Sequence, residues 1–172
     1  MRRFADSSRR GLITKVVSPG TPIVAEGHDQ YMVFTQRVDL DDLDEEAIRA
    51  APAIYQPEVD KAFEVRATIV GDVVLGCQID STASERTSLD WRHYDFDVVA
   101  HRAIDVPETV SRPLLALCRS HGLRYGAADL IVSPDGSWTF LELNPNGQWG
   151  WIEEQAGIPV DEHLARELAD RP

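Results

Sequence analysis

Two strand-like runs joined by a Pro-Gly turn constrain this chain more than any other feature in it. Tyr125-Gly126-Ala127-Ala128-Asp129-Leu130-Ile131-Val132 and the segment ending Phe140-Leu141-Glu142-Leu143-Asn144 flank Ser133-Pro134-Asp135-Gly136. Pro and Gly stand where a tight turn wants them, so the pair predicts an antiparallel hairpin. Glu142 and Asn144, two residues apart on a strand, share a face. A register centred on the turn sets Ala127 opposite Glu142, which makes Asp129 and Glu142 diagonal neighbours on the face that Asn144 shares. A slip of one residue would send Asp129 to the other face, so the geometry is conditional on the register.

In that register three hard oxygen ligands, Asp129, Glu142 and Asn144, point at one spot. Oxygen ligands with no His or Cys suit magnesium better than zinc, and magnesium held by few carboxylates completes its shell with substrate phosphates. Phosphate chemistry is the reading these residues support. Singly each is weak, because polar residues at strand ends near turns are common.

An Asp on one strand and a Glu-x-Asn on the next resembles the ATP-grasp ligases, which hold the magnesium ions of ATP in this way. More narrowly, Glu142-Leu143-Asn144-Pro145-Asn146-Gly147-Gln148-Trp149-Gly150-Trp151-Ile152-Glu153 is similar to the corresponding stretch of the peptide maturases that build microviridin-type peptides (graspetides), whose side chains are joined by ester or amide bonds. The resemblance runs from about Gly11 to Leu168 and covers the later part of such an enzyme.

Composition permits this reading. A chain of 172 residues can bury a full core and suggests one domain, at most of two lobes. A formal net charge of -12 argues against sequence-independent nucleic-acid binding, which needs Lys and Arg to displace counterions. The two cysteines, Cys77 and Cys118, lie inside apolar runs without paired spacing, which argues against a disulfide framework or zinc site and predicts buried, reduced thiols of a cytoplasmic protein. Met1-Arg2-Arg3-Phe4 is followed by no apolar core, and no run of 18 apolar residues occurs, so neither secretion nor a membrane partner is expected.

Along the chain, Leu12 to Val17 reads as a strand ending at Ser18-Pro19-Gly20, and Tyr31 to Thr35 as a second. Asp39 to Arg49 places Leu40, Leu43, Ala47 and Ile48 near one helical face, with its acids early and solvated. From Phe63 to Val70 the pattern alternates, with Phe63, Val65, Ala67 and Ile69 on one face and Glu64, Arg66 and Thr68 on the other. Gly71-Asp72 turns the chain back into Val73 to Ile79. Asp80 to Val98 is a long polar loop, functional or mobile. Asp105 resembles an N-cap for a helix that runs to Arg119, packs through Val110, Leu114 and Leu117, bends at Pro113 and closes at His121-Gly122. Pro159 to Asp170 predicts a last helix with Val160, Leu164 and Leu168 inward. The order of elements argues for an α+β fold.

The resemblance implies more: part of the small ATP-grasp lobe over 1–60, then the large lobe with the metal site over 61–172, and nucleotide between their sheets. At the junction, Gln56, Pro57, Glu58 and Val59 would meet adenine, the carbonyl of Pro57 accepting from its amino group and the N–H of Val59 donating to the ring. Pro57 stands where related enzymes carry Glu. Lys15 matches a phosphate-reaching lysine of the family, although a lone strand Lys is more often a solvent-facing edge residue. Arg66, which by itself reads as half of a surface pair with Glu64, would contact phosphate or acyl phosphate. Either Arg86 or Arg92 of the long loop would lie over the reacting phosphate. Trp149 and Trp151 read as core anchors.

The implied chemistry is an ATP- and magnesium-dependent ligation in peptide maturation. A carboxylate of a ribosomal precursor peptide is phosphorylated, and an amine or hydroxyl attacks the acyl phosphate to form an amide or ester. ATP-grasp ligases carry an N-terminal domain and a further lysine ahead of the equivalent of Lys15, for which fourteen residues leave no room. The resemblance therefore implies a C-terminal catalytic portion: a fragment of a longer enzyme, a truncated gene product, or one half of an assembly whose other half is another polypeptide. The partner expected is that missing N-terminal half or a second copy in a homodimer. Two alternatives stand beside it: a ligase that adds amino acids such as glutamate to a protein or small molecule, and a truncated module that binds without catalysis. Gln148-Trp149-Gly150-Trp151 favours the maturase, because the amino-acid-adding relatives carry a Ser-Pro-Gly type sequence after the Asn.

Overall fold

The computed structural model describes residues 10–17, 23–24, 30–31, 34–39, 41, 45–50 and 52–169. The chain divides into two compact units, Met1–Asp60 and Lys61–Pro172.

In the first unit, β1 (Leu12–Val16) is the centre of a three-stranded antiparallel sheet between β4 (Gln36–Arg37) and β5 (Ala53–Pro57). Its β-branched run pairs in full with β5, Ile13 opposite Gln56 and Lys15 opposite Ile54. β2 (Ile23–Val24) and β3 (Gln30–Tyr31) form a separate short antiparallel pair. The strand expected over Tyr31 to Thr35 is instead split: Tyr31 ends β3, Phe34 and Thr35 are irregular, and residues 32–33 lie outside the described residues. The helix expected from Asp39 is α1 (Glu45–Ala50), and its proposed inner residues Leu40 and Leu43 also lie outside them.

The second unit is built on a five-stranded antiparallel sheet in the order β10-β9-β6-β7-β8. These strands are β6 (Phe63–Val70), β7 (Val73–Ile79), β8 (His101–Ile104), β9 (Tyr125–Val132) and β10 (Trp138–Asn144). The helices are α2 (Glu108–Ser120), α3 (Gly150–Ala156) and α4 (Val160–Ala169). β6 is central because both its faces are covered. Val65, Ala67 and Ile69 pack with Ala128, Leu130 and Val132 against Leu114 and Cys118 of α2. On the opposite face Val70, Cys77 and Ile79 pack with Trp91, Val99, Ile152, Ile158 and Val160. Truncating a side chain such as Ile69, fully buried, would cost about 2–5 kcal/mol.

Three expectations are corrected here. Asp105 lies ahead of α2 rather than capping it; the N-cap is Pro107, which has no side-chain oxygen to donate to. The inner residue near the end of α2 is Cys118, with Leu117 only half-buried, and the C-cap is His121 followed by Gly122 at φ 65°. Pro113 sits inside α2 without ending it. On α4, Val160 is buried and Leu164 packs on the core, but Leu168 is 66% exposed. β8, α3 and β5 are elements that the hydrophobic pattern leaves unmarked. Cys77 and Cys118 are buried free thiols, and burial pushes the Cys77 thiol up to about 11. Among the described residues no helix is long and apolar enough to cross a membrane.

Candidate functional site

The hairpin forms, but in a register that differs from one centred on Ser133 to Gly136. Ser133 N donates to Ser137 O, so the connection is Pro134-Asp135-Gly136, with Gly136 at φ 82°. Trp138 then pairs with Val132 and Phe140 with Leu130. Continued unbroken, this odd-length loop would set Leu141 opposite Asp129 and send Glu142 to the other face. The ladder instead shifts between Phe140 and Glu142, leaving Leu141 unpaired, so that Glu142 faces Asp129 directly and Asn144 faces Ala127. A β-bulge thus returns Glu142 to the face of Asp129.

The same face continues across the sheet. Asp129 of β9 pairs with Arg66 of β6, which pairs with Cys77 of β7. Glu142, Asp129, Arg66 and Cys77 therefore form one row across four strands. Arg66 and Asp129 are 7% and 8% exposed, and Arg66 Nε lies 3.2 Å from Asp129 Oδ1. The contact is close but its N–H is not aimed along it: Arg66 Nε, Arg66 Nη1 and Asp129 Oδ1 all lack a hydrogen-bond partner. Burial pushes the Asp129 carboxyl up to about 6, with Glu142 and Glu64 adding to the rise and Arg66 and Arg92 opposing it. Orphaned, buried charged atoms of both signs are the mark of a site that a further polar group completes.

Arg66 does not pair with Glu64 as a surface couple. Glu64 is 5% exposed and accepts from Lys61 Nζ at 2.6 Å and Ser81 Oγ at 2.8 Å. That network fastens the start of the long loop to β6. The loop is packed: Thr87 Oγ1 donates to Ser81 O at 2.7 Å, and Ser81, Thr87, Asp90 and Trp91 are buried. Asp90 caps a 3-10 turn over Trp91–His93 by accepting from Arg92 N at 3.1 Å, and also takes Arg92 Nε at 2.8 Å. Asp90, Glu142 and Asp129 together hold the Arg92 guanidinium above its ordinary pKa, the Asp90 hydrogen bond contributing most. Arg86 is exposed. Of the two loop arginines, Arg92 is the one the fold brings under the influence of Asp129 and Glu142.

Asn144 is exposed at the end of β10, and its Oδ1 accepts from Asn146 N at 2.8 Å, which shapes the turn into Gly147. Gly147 is buried, and its carbonyl accepts from the Tyr125 hydroxyl. A Cβ at Gly147 would collide with Ala127 and stand 3.2 Å from Arg66 Nη1. The backbone after Asn144 therefore closes on Arg66 in a space that only glycine leaves open.

In the first unit, Lys15 and Gln56 are half-buried on β1 and β5, and Pro57 ends β5 exposed. Glu58 N donates to Gly11 O at 3.0 Å, and its carboxylate takes Arg37 Nε and Nη2, each at 2.8 Å. Val59 is half-buried. The Glu58 side chain is thus committed to Arg37, while Lys15 makes no hydrogen bond among the described residues.

Sequence reasoning missed three participants: Trp91, whose ring lies 5.0 Å from the Arg66 guanidinium, Gly147, and the Lys61–Glu64–Ser81 network. Only Gly147 carries a signal, in Asn146-Gly147 after a strand. As to a metal, no group of three or more His, Cys, Asp or Glu converges among the described residues. The donor set is two carboxylates and an amide oxygen, which fits a hard cation that keeps other oxygen ligands, and Asp129 Oδ1 is unpartnered.

No protein-family model and no curated protein matches the sequence. Solved structures do. A Chryseobacterium gregarium RiPP-associated ATP-grasp ligase, solved with ADP and a leader and core peptide, superposes with a TM-score of 0.86 at 29% identity, over 99% of this chain and 52% of its own. The macrocyclase MdnC from Microcystis aeruginosa MRC, bound with precursor peptide MdnA, gives 0.82 at 31% identity, over 99% and 51%. The ATP-grasp ligase PsnB, complexed with a phosphomimetic minimal precursor, Mg and ADP, gives 0.70 at 24% identity, over 96% and 49%, a likeness of fold alone. The chain spans about half the length of each.

Proposed function

Since this chain has the ATP-grasp fold and resembles the ligases of ribosomal peptide maturation, we propose that it is the C-terminal, metal-bearing portion of an enzyme that joins side chains of a precursor peptide through an acyl phosphate. The observation that carries the reading is the row Glu142, Asp129, Arg66: two carboxylates for a cation beside a buried, incompletely paired guanidinium for an anion. Residues 1–60 are then part of the small lobe and 61–172 the large lobe, each a compact unit. ATP, magnesium and a precursor peptide enter as substrate, cofactor and partner; the Chryseobacterium gregarium ligase holds ADP with a leader and core peptide, and MdnC holds a precursor peptide. Two buried reduced thiols accord with a cytoplasmic setting.

Asp129, Glu142 and Asn144 would hold the magnesium, which when bound neutralises phosphate charge and orients it. Arg66 carries unpaired N–H donors in a site largely closed to water, where a charge-assisted bond to a phosphoryl oxygen is stronger than in solvent. Arg92, oriented by Asp90, adds a second cation beside the carboxylates. Lys15 offers an ammonium from β1, and Gln56 to Val59 offer backbone groups to an adenine. Catalysis of this kind is positioning plus charge neutralisation.

Calorimetric titration of AMPPNP into the 172-residue chain, with and without magnesium, tests it. Magnesium-dependent binding that Glu142→Gln removes is the expected result. Absence of binding, or binding indifferent to magnesium, overturns the assignment.

A further inference from the structure

We propose that Trp91 and Trp151 are positioning residues for Arg66, their indole faces stabilising its buried guanidinium while leaving its N–H edge open to an anion. The inference rests on Arg66 as the anion-contacting cation proposed above and says how the fold keeps it available.

A guanidinium that is 7% exposed carries a desolvation cost that something must offset. The carboxylate on it, Asp129, approaches to 3.2 Å without alignment and leaves Nε and Nη1 unsatisfied. All five donors of a guanidinium lie in its plane, so a bidentate carboxylate would consume the edge that an incoming anion needs. An aromatic face stabilises the cation through its quadrupole and takes no donor. The Arg66 guanidinium carbon lies 5.0 Å from the centre of the Trp91 ring and 6.0 Å from that of Trp151. The two indoles touch each other, centres 5.0 Å apart. Trp91 is buried at 6% exposure and comes from the loop turn capped by Asp90, whereas Trp151 is the second residue of α3. The loop and the segment after the Glu-x-Asn strand therefore converge on one guanidinium. On its Nη1 side stands Gly147, so close that a Cβ there would lie 3.2 Å from that nitrogen.

The test compares Trp91→Phe, which keeps an aromatic face, with Trp91→Leu, which keeps apolar bulk alone. The probes are inorganic pyrophosphate without magnesium and AMPPNP with it, each titrated into the full chain. Pyrophosphate affinity should fall about tenfold in Trp91→Leu and stay within about threefold of the parent in Trp91→Phe. Should Trp91→Leu fail to fold, the half-buried Trp151 carries the same Phe and Leu comparison. Equal affinity in the parent and the Leu variant overturns the proposal, as does an equal loss in both variants, which would mean packing, or a parent that binds no pyrophosphate. Graded pyrophosphate binding without any nucleotide binding would uphold the proposal and overturn the ligase reading.

Discussion

Glu142 stands directly across the sheet from Asp129, and it does so only because Leu141 is bulged out of the ladder. The three-residue connection Pro134-Asp135-Gly136 sets a parity in which an unbroken β10 would point Glu142 at the face packed on α2. One extra residue restores it.

Deleting Leu141 should remove the bulge yet keep the two carboxylates face to face, because Glu142 then follows Phe140 directly and an unbroken ladder sets it opposite Asp129. Magnesium-dependent AMPPNP binding by that variant is expected to stay within about tenfold of the parent, the scale of a change in a ligand's support. Glu142→Gln, which removes the carboxylate itself, should instead lower that binding about 100-fold, with unfolding free energy within about 0.5 kcal/mol of the parent because Glu142 is exposed. Calorimetry with chemical denaturation checks both, and a loss in the deletion variant as deep as in Glu142→Gln would show that the bulge itself, and not the facing of Glu142 and Asp129, shapes the site.

Asp129 sets a pH dependence whose sign is determinate. Its folded carboxyl titrates at about 6, above the ordinary value of 3.8, chiefly through burial. Between those values the folded chain keeps a proton that the unfolded chain releases. The contribution to stability is full below about 4 and is lost as the pH rises through about 6. Denaturation of the metal-free protein from pH 4 to 7 should show this decline relative to Asp129→Asn; parallel profiles in the two proteins would refute it.

Gly147→Ala should destabilise by about 1–3 kcal/mol, since its Cβ would overlap Ala127 and crowd Arg66 Nη1. Serine or alanine here should also weaken anion binding, because the overlap with Ala127 displaces the turn and the Arg66 guanidinium at 3.2 Å is crowded with it. A thermal melt equal to that of the parent would show that the loop relaxes freely.

Arg86 and Arg92 should part company. Arg86→Ala, at an exposed position, is expected to change nucleotide affinity less than twofold, within the usual surface effect of about 0.5 kcal/mol. Arg92→Ala removes a cation oriented by Asp90 at 2.8 Å and coupled to Glu142 and Asp129, and should cost about tenfold or more. Side-by-side titrations decide it, and the reverse order would place the functional arginine at residue 86.

Local chemistry alone determined a good part of this protein. The alternation of Phe63 to Val70, the turn at Gly71-Asp72 and the existence of the hairpin are written in adjacent residues, although the hairpin's connection is one residue shorter than the pattern puts it. So is the Glu-x-Asn spacing, because strand periodicity needs no distant partner. What tertiary structure decided is everything that depends on parity or on a remote neighbour. The bulge at Leu141 is invisible in composition, yet it selects the face of Glu142. Glu64 and Arg66 read as a surface pair because both are charged; burial by the loop and by Trp91 gives them different partners, Lys61 and Ser81 for one and Asp129 for the other. Trp91 meets Arg66 across 25 residues of sequence. Asp129 acquires its raised pKa from desolvation, a property of what surrounds the carboxyl and not of the residue itself.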